Sequence, residues 1–306
     1  MKAAVYEKYG PPEVVSVQQV EKPAPGEDEV LVKVFAATIR AGDVRMRSFN
    51  VPPGEWLFAR LYLGVFSPRR KILGMELAGE IEQVGNRVQK FKTGDQVFAT
   101  TELEFGAHAQ YKCLQEKRIL ALKPTNVTYE EAAAVPTGAL GALAMVRDKA
   151  GIQEGQKVLV YGASGSVGSY AVQLARYYGA QVSGVCSTSK VEKVKSLGVV
   201  DVFDYKKEDF VSHGIEYDCI IDAAGVLSKS ENQESLAPGG KFVSIHKDSY
   251  KESGDDLEFI SQLIEAGSIT PLVDRVYPLE DIVDAYQYFE QGKKMGGVVI
   301  SVPQDE

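Results

Sequence analysis

The hydrophobic positions of the first 124 residues fall into short runs that are typical of β-strands. Valine and isoleucine recur at close spacing within the runs, and Gly, Pro or the tripeptide Thr-Gly-Asp separates one run from the next. The clearest runs are KAAVY (2–6), EVLVKVFAAT (29–38), LAGEIEQVG (77–85) and DQVFAT (95–100). This pattern predicts a β-rich domain over residues 1–124.

After residue 124, apolar strands alternate with helical segments. The strands are KVLVY (157–161), QVSGVC (181–186), DVFDY (201–205), YDCIID (217–222) and KFVSIH (241–246). The helical segments are 166–179, 190–197 and 256–267. Strands that alternate with helices form a parallel sheet with helices on both faces. We therefore predict a doubly wound α/β domain over residues 125–267.

The last segment, 268–306, returns to the style of the first domain. It contains the strand VDRVYPL (273–279), a helix at about 280–290 and the strand GVVISV (297–302). We expect this segment to rejoin the domain of residues 1–124. The predicted fold class is therefore α/β, with one β-rich domain and one domain built on a parallel sheet.

Composition and charge narrow the function. The 306 residues are 44% hydrophobic and 25% charged, which is typical of a globular enzyme with about two domains. The net charge of −8 argues against nucleic acid as a partner, because phosphate contacts need a basic surface. No apolar run approaches the roughly 20 residues that span a bilayer, and the N-terminus lacks the apolar stretch of a signal peptide. Since the three cysteines also show no pairing pattern, we expect a cytoplasmic protein with reduced thiols and no membrane partner.

The strongest chemical signal is the sequence YGASGSVG (161–168), between a predicted strand and a predicted helix. A glycine turn that opens a helix presents N–H groups and the positive end of the helix dipole to a pyrophosphate. Gly165 lets the backbone approach the phosphates, Gly168 lets the helix pack closely, and Ala163 stands at the first glycine position of G-x-G-x-x-G. A tight turn without a ligand is the alternative. The candidate cofactor-binding residues of this turn are Ala163, Ser164, Gly165, Ser166 and Val167.

The end of the second strand indicates which dinucleotide binds. In NAD-binding domains, an Asp or Glu near this point binds the ribose 2′-hydroxyl. Here Ser187, Thr188, Ser189 and Lys190 follow Cys186 instead. Hydroxyl and ammonium groups suit a 2′-phosphate, whereas an exposed lysine at a helix start is the alternative for Lys190. We therefore predict NADPH as the cofactor.

Several segments together resemble a known family. YGASGSVGSYAVQLARYYGA, CSTSKVEKVKSLG and DVFDYKKEDF are similar to zinc-free quinone oxidoreductases, a branch of the medium-chain dehydrogenase/reductase superfamily. The segments KAAVYEKYGPPEVV and ILGMELAGEIEQVG are similar to the catalytic domain of that branch. The resemblance implies a GroES-like domain over 1–124 that 268–306 completes, and a Rossmann NADPH-binding domain over 125–267. It also implies a cleft between them that holds the nicotinamide.

The resemblance assigns cofactor contacts to individual residues. Ser187 and Lys190 fall where family members contact the 2′-phosphate. Tyr205 matches a tyrosine that lines the adenosine side, and a rim tyrosine without a ligand is the alternative. Ala224 and Gly225 fall where the chain passes the ribose and the nicotinamide.

The zinc-binding segments of related dehydrogenases are altered here. They read Arg40-Ala41-Gly42-Asp43 and Gly74-Met75-Glu76, without the thiolate and imidazole that bind zinc. The chain has only three cysteines, and its histidines have no ligand spacing, so no metal site is predicted. Arg40 either acts near the nicotinamide, on a carbonyl or a carboxylate, or pairs with Asp43 or Glu76.

The predicted activity is NADPH-dependent, zinc-independent transfer of hydride to a quinone or an α,β-unsaturated carbonyl. Such acceptors have a low barrier to reduction and need no metal Lewis acid. Enoyl-thioester reduction and a non-catalytic NADPH-sensing protein are the alternatives. No catalytic residue is assigned, because neither Asp43 nor Tyr111 is evidently the proton donor. The predicted partner is a small hydrophobic carbonyl or quinone, and a homodimer is left open.

Residues 48–70 form the predicted substrate loop. The segment ends in Arg69 and Arg70, and its aromatic residues are Phe49, Trp56, Phe58, Tyr62 and Phe66. It forms either a wall for a planar acceptor or a lid packed on its own domain. The two arginines are either a solvated end of the segment or a clamp for the substrate.

Overall fold

The computed structural model of the chain describes residues 1–51, 54, 56–64, 67–246, 248 and 251–304. Its contacts divide the chain into one unit of Met1–Pro136 with Val273–Glu306 and a second unit of Thr137–Leu272. The sequence-based boundaries lie at 124/125 and 267/268. The first crossing comes later in the structure because the helix Tyr129–Ala133 packs on strands of the first unit.

Strands follow one another in runs in the first unit and alternate with helices in the second unit. In chain order the strands are β1 Lys2–Tyr6, β2 Val15–Gln19, β3 Glu29–Ile39, β4 Glu76–Val84, β5 Gln96–Thr100, β6 Tyr111–Gln115, β7 Leu120–Leu122, β8 Lys157–Tyr161, β9 Gln181–Cys186, β10 Asp201–Asp204, β11 Tyr217–Asp222, β12 Leu236–Ser244, β13 Val273–Pro278 and β14 Gly297–Ser301. The α-helices are α1 Ala41–Ser48, α2 Trp56–Leu63, α3 Tyr129–Ala133, α4 Pro136–Leu143, α5 Ser166–Tyr177, α6 Val191–Lys195, α7 Gly254–Glu265 and α8 Ile282–Glu290. Among the described residues, none of these helices has the length and apolar character needed to cross a membrane.

β3 is the centre of the sheet in the first unit. It pairs with β4 on one side, with register shifts between Leu31 and Val32 and between Val34 and Ala36, and with β6 and β14 in succession on the other side. Within the described residues, seven strands form this sheet in the order β13-β14-β3-β4-β5-β7, with β6 also on β3. The C-terminal strands β13 and β14 therefore lie in the same sheet as the N-terminal strands.

The core of the first unit lies between this sheet and α8. Val32, Leu77, Ile81 and Ile300 from the strands and Tyr286 from α8 are almost completely buried. Alternating valines and isoleucines form the buried face of the strands, as the sequence pattern predicts. This core fixes the positions of the strands and of the loops that connect them.

The second unit contains a parallel sheet, which in the described residues has five strands in the order β10-β9-β8-β11-β12. The chain moves outward from β8 in one direction and then crosses to β11 in the other. In open α/β sheets, ligands bind outside the carboxyl ends of the strands at such a switch point. The strands end at Tyr161, Cys186, Asp204, Asp222 and Ser244. With a β-rich unit and a parallel-sheet unit, the predicted fold class is confirmed.

Two of the differences from the sequence-based prediction have a clear local cause. The segment 48–70 was predicted as a loop, but it contains α2, because Trp56–Leu63 has no Gly or Pro and is rich in good helix formers. β12 begins at Leu236 rather than at Lys241. Pro238-Gly239-Gly240 interrupts the apolar pattern there and conceals the start of the strand.

Candidate functional site

The glycine turn after β8 fixes the start of α5 against the sheet. Gly162 makes the sharp change of direction, with a φ of 79° that side chains rarely adopt. The N–H groups of Gly162 and Ala163 donate to the Val185 carbonyl at 3.1 and 3.0 Å. Ala163 is buried and faces Gly184. The turn therefore requires glycine at position 162 and accepts alanine at 163, which explains the departure from the G-x-G-x-x-G pattern.

The two glycines at the start of α5 have different roles. A Cβ at Gly168 would lie 2.1 Å from the Gly162 carbonyl oxygen, so packing requires glycine there. A Cβ at Gly165 would meet only that same oxygen, at 3.3 Å, and its φ of −77° suits any residue. Since the described protein does not fill the space beside Gly165, the missing side chain leaves room for a ligand.

The start of α5 has the electrostatics of an anion site. The helix is 12 residues long and begins at Ser166 without a side-chain cap. The first turn of a helix carries N–H groups without intrahelical acceptors, and the helix dipole places positive charge there. The stretch Ser164–Val167 therefore has the arrangement that binds a pyrophosphate.

Ser187 and Lys190 lie where β9 ends. Ser187 precedes a short 3-10 turn, Thr188–Lys190, and the N–H of Lys190 donates to the Ser187 carbonyl at 2.9 Å. This bond brings the two predicted phosphate contacts into one turn beside the glycine turn.

Asp204 is a carboxylate at the same edge that the sequence reasoning missed. It ends β10 opposite Cys186 and is buried. Its carboxylate accepts the N–H of Lys206 at 3.1 Å and pairs with Lys207 at 3.6 Å. A hydrogen bond from Thr188 is the main cause that lowers the pKa of Asp204. It arrives from the neighbouring strand, so spacing along the chain gives no signal for it.

Tyr205 lies at an aromatic cavity on this edge of the sheet. Its half-exposed ring lies 6.4 Å from the Tyr161 ring, which lies 6.3 Å from the ring of Phe210. These three rings lie in the wall of a cavity of about 530 Å³, whose other lining residues are the apolar Val185, Val211 and Leu227 and the polar Lys206, Lys207, Glu208, Asp209, Glu231 and Asn232. Aromatic rings among polar side chains in a cavity of this volume suit a planar heterocycle with polar edges such as adenine.

Ala224 and Gly225 follow β11, on the other side of the glycine turn from β9. A Cβ at Gly162 would lie 3.0 Å from the Cβ of Ala224, so the two turns are in contact. The buried Asp222 carboxylate accepts the N–H groups of Gly225 and Leu227 at 2.8 and 2.9 Å. These two hydrogen bonds to Asp222 therefore fix the conformation of the turn. The sequence reasoning did not single it out, although an acid at the end of a buried strand is a usable signal.

All ten predicted cofactor-binding residues thus lie in the second unit, at or just beyond the carboxyl ends of its strands. The glycine-turn residues are central, Ser187, Lys190 and Tyr205 lie on the β9 and β10 side, and Ala224 and Gly225 lie on the β11 side.

In the first unit, Asp43 is a fully buried carboxyl in the first turn of α1. Its two oxygens accept the N–H groups of Gly74 and Arg40, both at 2.8 Å. Burial raises the pKa of Asp43 from 3.8 to about 7, although both hydrogen bonds oppose this rise. Asp43 therefore ties α1 to the segment before β4 and changes protonation near neutral pH.

Arg40 forms an ion pair with Glu76. Its Nη1 lies 3.6 Å from Oε1 of Glu76, which is completely buried, while 16% of the Arg40 side chain is exposed. The other Glu76 oxygen accepts the hydroxyl of Thr38. Of the alternatives left open for Arg40, the pair with Glu76 is present, whereas Asp43 receives only the backbone N–H of Arg40.

His108 is buried close to these groups. Its Nε2 lies 2.9 Å from the Thr38 carbonyl oxygen, which can only accept, so Nε2 carries the proton. Burial lowers the pKa of His108 to about 4. His108 is therefore neutral at physiological pH and acts as a structural donor.

The side chains around Arg40 do not fit a zinc ion. The guanidinium of Arg40 is a cation beside Glu76, and it repels a second cation there. Met75 packs so closely on Gly42 that a Cβ at Gly42 would lie 2.4 Å from its sulfur, and a thioether is a poor zinc ligand. Over the described ranges, no group of three or more His, Cys, Asp and Glu side chains is arranged to hold a metal.

The described part of the predicted substrate loop packs on its own unit. The Arg60 guanidinium of α2 lies over the rings of Phe49, Tyr9 and Trp56, at 3.9, 5.0 and 5.4 Å from their centres. Tyr9 and Phe49 are themselves in contact, with ring centres 4.8 Å apart. Phe66 and the side chains of Phe58 and Tyr62 lie outside the described residues.

Family models match both units of the chain. The model described as alcohol dehydrogenase GroES-like domain matches residues 26–149. Two models described as zinc-binding dehydrogenase match residues 166–265 and 248–300. The matches therefore extend from the β-rich unit through the parallel-sheet unit to the returning C-terminal segment.

Individual relatives match nearly the whole of this chain. The chain is 32% identical to the NADPH-dependent alkenal/one oxidoreductase, chloroplastic, of Arabidopsis thaliana, with 98% of this chain and 79% of the relative covered. It is 30% identical to the chloroplast envelope quinone oxidoreductase homolog of Arabidopsis thaliana, with 92% of each covered. The crystal structure of an NAD-dependent alcohol dehydrogenase is similar, with a TM-score of 0.85, 28% identity, and 99% of this chain and 100% of that chain covered.

The two glycines at the start of α5 give a test of the cofactor site. Gly165→Ala should weaken nucleotide affinity about tenfold, because the new methyl enters the open space, and should change stability by less than about 0.5 kcal/mol. Gly168→Ala should instead destabilise the protein by about 1–3 kcal/mol, because its Cβ meets the Gly162 carbonyl. Calorimetric titration with NADPH and denaturant unfolding separate the two effects. Unchanged affinity in Gly165→Ala would place the ligand elsewhere.

Asp43 should make stability depend on pH. Because its pKa is about 7 in the fold and 3.8 as a free group, its favourable contribution is complete below pH 3.8 and is lost as pH rises through about 7. Asp43→Asn cannot ionise, and its amide turns a donor toward a backbone N–H, which costs about 1–3 kcal/mol. The variant should therefore be more destabilised, relative to wild type, at about pH 5 than at about pH 8.

Denaturant unfolding followed by the fluorescence of Trp56, the one tryptophan of the chain, measures this difference in the first unit. The exposed Asp281 gives the matched control, because Asp281→Asn removes the same charge from the surface of that unit. An Asp43→Asn deficit that is equal at both pH values would contradict the raised pKa.

Proposed function

The chain belongs to the quinone oxidoreductase branch of the medium-chain dehydrogenase/reductase superfamily, and we propose that it uses NADPH to reduce α,β-unsaturated carbonyls and quinones without zinc. The observation that carries the proposal is the open cradle beside Gly165, at the start of α5 and next to the turn of Ser187 and Lys190. Its shape and donors fit a dinucleotide that carries an additional phosphate.

The second unit supplies the residues that hold the cofactor. Backbone groups of Ser164–Val167 bind the pyrophosphate, and Ser187 and Lys190 bind the 2′-phosphate. Tyr205 lines the adenosine cavity. Ala224 and Gly225 lie along the nicotinamide side, in the turn that Asp222 fixes. When bound, NADPH supplies the hydride of the reaction.

The acceptor class follows from the chemistry of the first unit. Alcohol oxidation requires activation of a hydroxyl, for which relatives of this superfamily use a metal, and the donors around Arg40 and Glu76 do not fit one. A conjugated alkene needs no such activation, since its carbonyl already draws charge from the β-carbon. The β-carbon accepts the hydride, the α-carbon accepts a proton, and the conjugated C=C bond becomes a single bond. A quinone takes a hydride and a proton and becomes a hydroquinone.

The relatives support this assignment. One is named for NADPH and for alkenals and alkenones, and the other for quinones, so both names specify acceptors with a carbonyl conjugated to C=C. The three cysteines are free thiols in the structure, which agrees with the cytoplasmic location that we propose.

A panel of acceptors tests the activity. With purified protein, loss of NADPH absorbance at 340 nm should follow addition of an alkenal, an enone or a small quinone, but not of the saturated aldehyde with the same carbon skeleton. The reason is that only conjugated acceptors are reactive without a Lewis acid. An enoyl thioester forms the comparison arm. Tight NADPH binding with no turnover of any acceptor would identify a cofactor sensor instead of an enzyme.

Lys190→Ala tests the choice of cofactor. Removing one charge-assisted contact to the 2′-phosphate should raise the KM for NADPH by about 10–100-fold and leave that for NADH unchanged. The matched control is Lys193→Ala, three residues along on the exposed surface of α6. An equal rise in the KM for NADPH and for NADH would show that Lys190 does not contact the 2′-phosphate.

A further inference from the structure

In the second unit, the carboxyl ends of β9 and β10 meet at the carboxylate of Asp204. Asp204 is the last residue of β10 and lies opposite Cys186, the last residue of β9. The N–H of Tyr205 donates to the Cys186 carbonyl at 3.1 Å, so the two strands stay paired up to this point. Only 5% of Asp204 is exposed. Its carboxylate is therefore held between the strand ends rather than in solvent.

On the β10 side, Asp204 fixes the turn that carries Tyr205. Its Oδ1 accepts the N–H of Lys206 at 3.1 Å. Its backbone carbonyl accepts the N–H groups of Lys207 and Glu208 at 2.8 and 3.0 Å. An aspartate that binds the N–H two residues further on is a common way to stabilise a turn. These bonds fix the backbone of Tyr205, whose ring lies in the wall of the 530 Å³ cavity.

On the β9 side, the same carboxylate accepts a hydrogen bond from the side chain of Thr188. Thr188 begins the 3-10 turn that ends at Lys190, and Ser187 is the residue before it. The bond from the Lys190 N–H to the Ser187 carbonyl lies within this turn. The hydroxyl of Thr188 instead joins the turn to a residue on a different strand. Asp204 is therefore bonded to both segments that are predicted to hold the adenosine end of the cofactor.

The charge of Asp204 lies close to positive groups at this edge. The Nζ of Lys207 is 3.6 Å from its Oδ2. Burial is the main cause that raises the pKa of the Cys186 thiol to about 11, and Asp204 adds to this rise while Lys190 opposes it. Asp204 and Lys190 therefore both lie near this thiol. An ionised carboxylate repels a phosphate in such a place, so its contribution to phosphate binding must come from geometry.

We infer that Asp204 is a positioning residue for the 2′-phosphate site, and that it supports the preference for NADPH over NADH by holding the turn of Ser187 and Lys190 through Thr188. The carboxylate does not contact the phosphate but fixes the turn that does. Binding groups that are already in place lose less conformational freedom when the ligand arrives. The inference rests on the proposed function and adds to it the residue that orders the phosphate site.

Two nucleotides that differ only in the 2′-phosphate test the inference. They are adenosine 2′,5′-bisphosphate and adenosine 5′-monophosphate, and calorimetric titration measures their affinities without an acceptor or turnover. The variants are Asp204→Ala, Asp204→Asn, Thr188→Val and the double variant of Asp204→Ala with Thr188→Val. The matched control is Asp201→Ala, which removes an exposed carboxylate from the first residue of the same strand.

Asp204→Ala should weaken binding of the bisphosphate by about tenfold and change binding of the monophosphate by less than about twofold. Asp204→Asn should lose much less, because its amide oxygen still accepts the Thr188 hydroxyl. Thr188→Val should lose as much as Asp204→Ala, and the double variant should lose no more than either, because both substitutions remove the same hydrogen bond. Asp201→Ala should match wild type.

Three results would each overturn the inference. Equal losses with both nucleotides would show that Asp204 only supports the fold. Tighter binding of the bisphosphate by both Asp204 variants would show that the carboxylate acts only by repulsion. Additive losses in the double variant would show that Thr188 contacts the phosphate itself.

The wild-type protein separates this inference from the proposed function. If it binds the two nucleotides equally, NADPH as the cofactor and the role of Asp204 both fail. If it prefers the bisphosphate and Asp204→Ala keeps that preference, only the inference fails. Absence of turnover with any acceptor would overturn the proposed activity without affecting these titrations. Because Thr188 is exposed, Thr188→Val should fold even if Asp204→Ala does not, and its affinity for the bisphosphate then decides the inference.

Discussion

Buried carboxylates fix the functional edges of both units. A carboxylate removed from water is stable only when its oxygens find donors, and a missing donor costs several kcal/mol. Asp43 takes its donors from Gly74 and Arg40, Glu76 from Thr38 and Arg40, and Asp222 from the turn after its own strand. Most of these donors belong to a loop or a helix start, whereas Thr38 belongs to β3. Because each buried carboxylate requires hydrogen-bond donors, the segments that carry those donors must lie close to it.

These hydrogen bonds explain why the turn after β11 and the start of α1 have fixed positions. Asp222 shapes the turn of Ala224 and Gly225, and that turn packs on Gly162 in the glycine turn. In the first unit, Asp43 ties the start of α1 to the segment before β4. Sites that depend on precise positions are more reliable when their supports are rigid. The supporting acids are accordingly less exposed than the groups they position.

The sequence predicts the strands of the parallel sheet well. It predicts poorly which residues from different elements meet in the folded structure. KVLVY, QVSGVC and YDCIID coincide with β8, β9 and β11, because a buried parallel strand is a continuous apolar run between turn residues. The glycine turn was recognised for the same local reason. Asp204 was missed since it reaches the end of β9 from the adjacent strand, and α2 was missed although Trp56–Leu63 contains good helix formers and no Gly or Pro. Residues brought together by tertiary structure leave no spacing in the chain.

The structure restricts the residues of the glycine turn more strictly than it restricts exposed side chains. The turn at Gly162–Gly168 is constrained residue by residue, by a positive φ, by close packing and by the open space at Gly165. The exposed Arg69 and Arg70 are not constrained in this way, because neither makes an ion pair or a side-chain hydrogen bond with another described residue. Side chains that contribute little to the fold can change without loss of stability. Exposed positions of this kind can therefore vary at little cost in stability, whereas a side chain at Gly168 would collide with the Gly162 carbonyl.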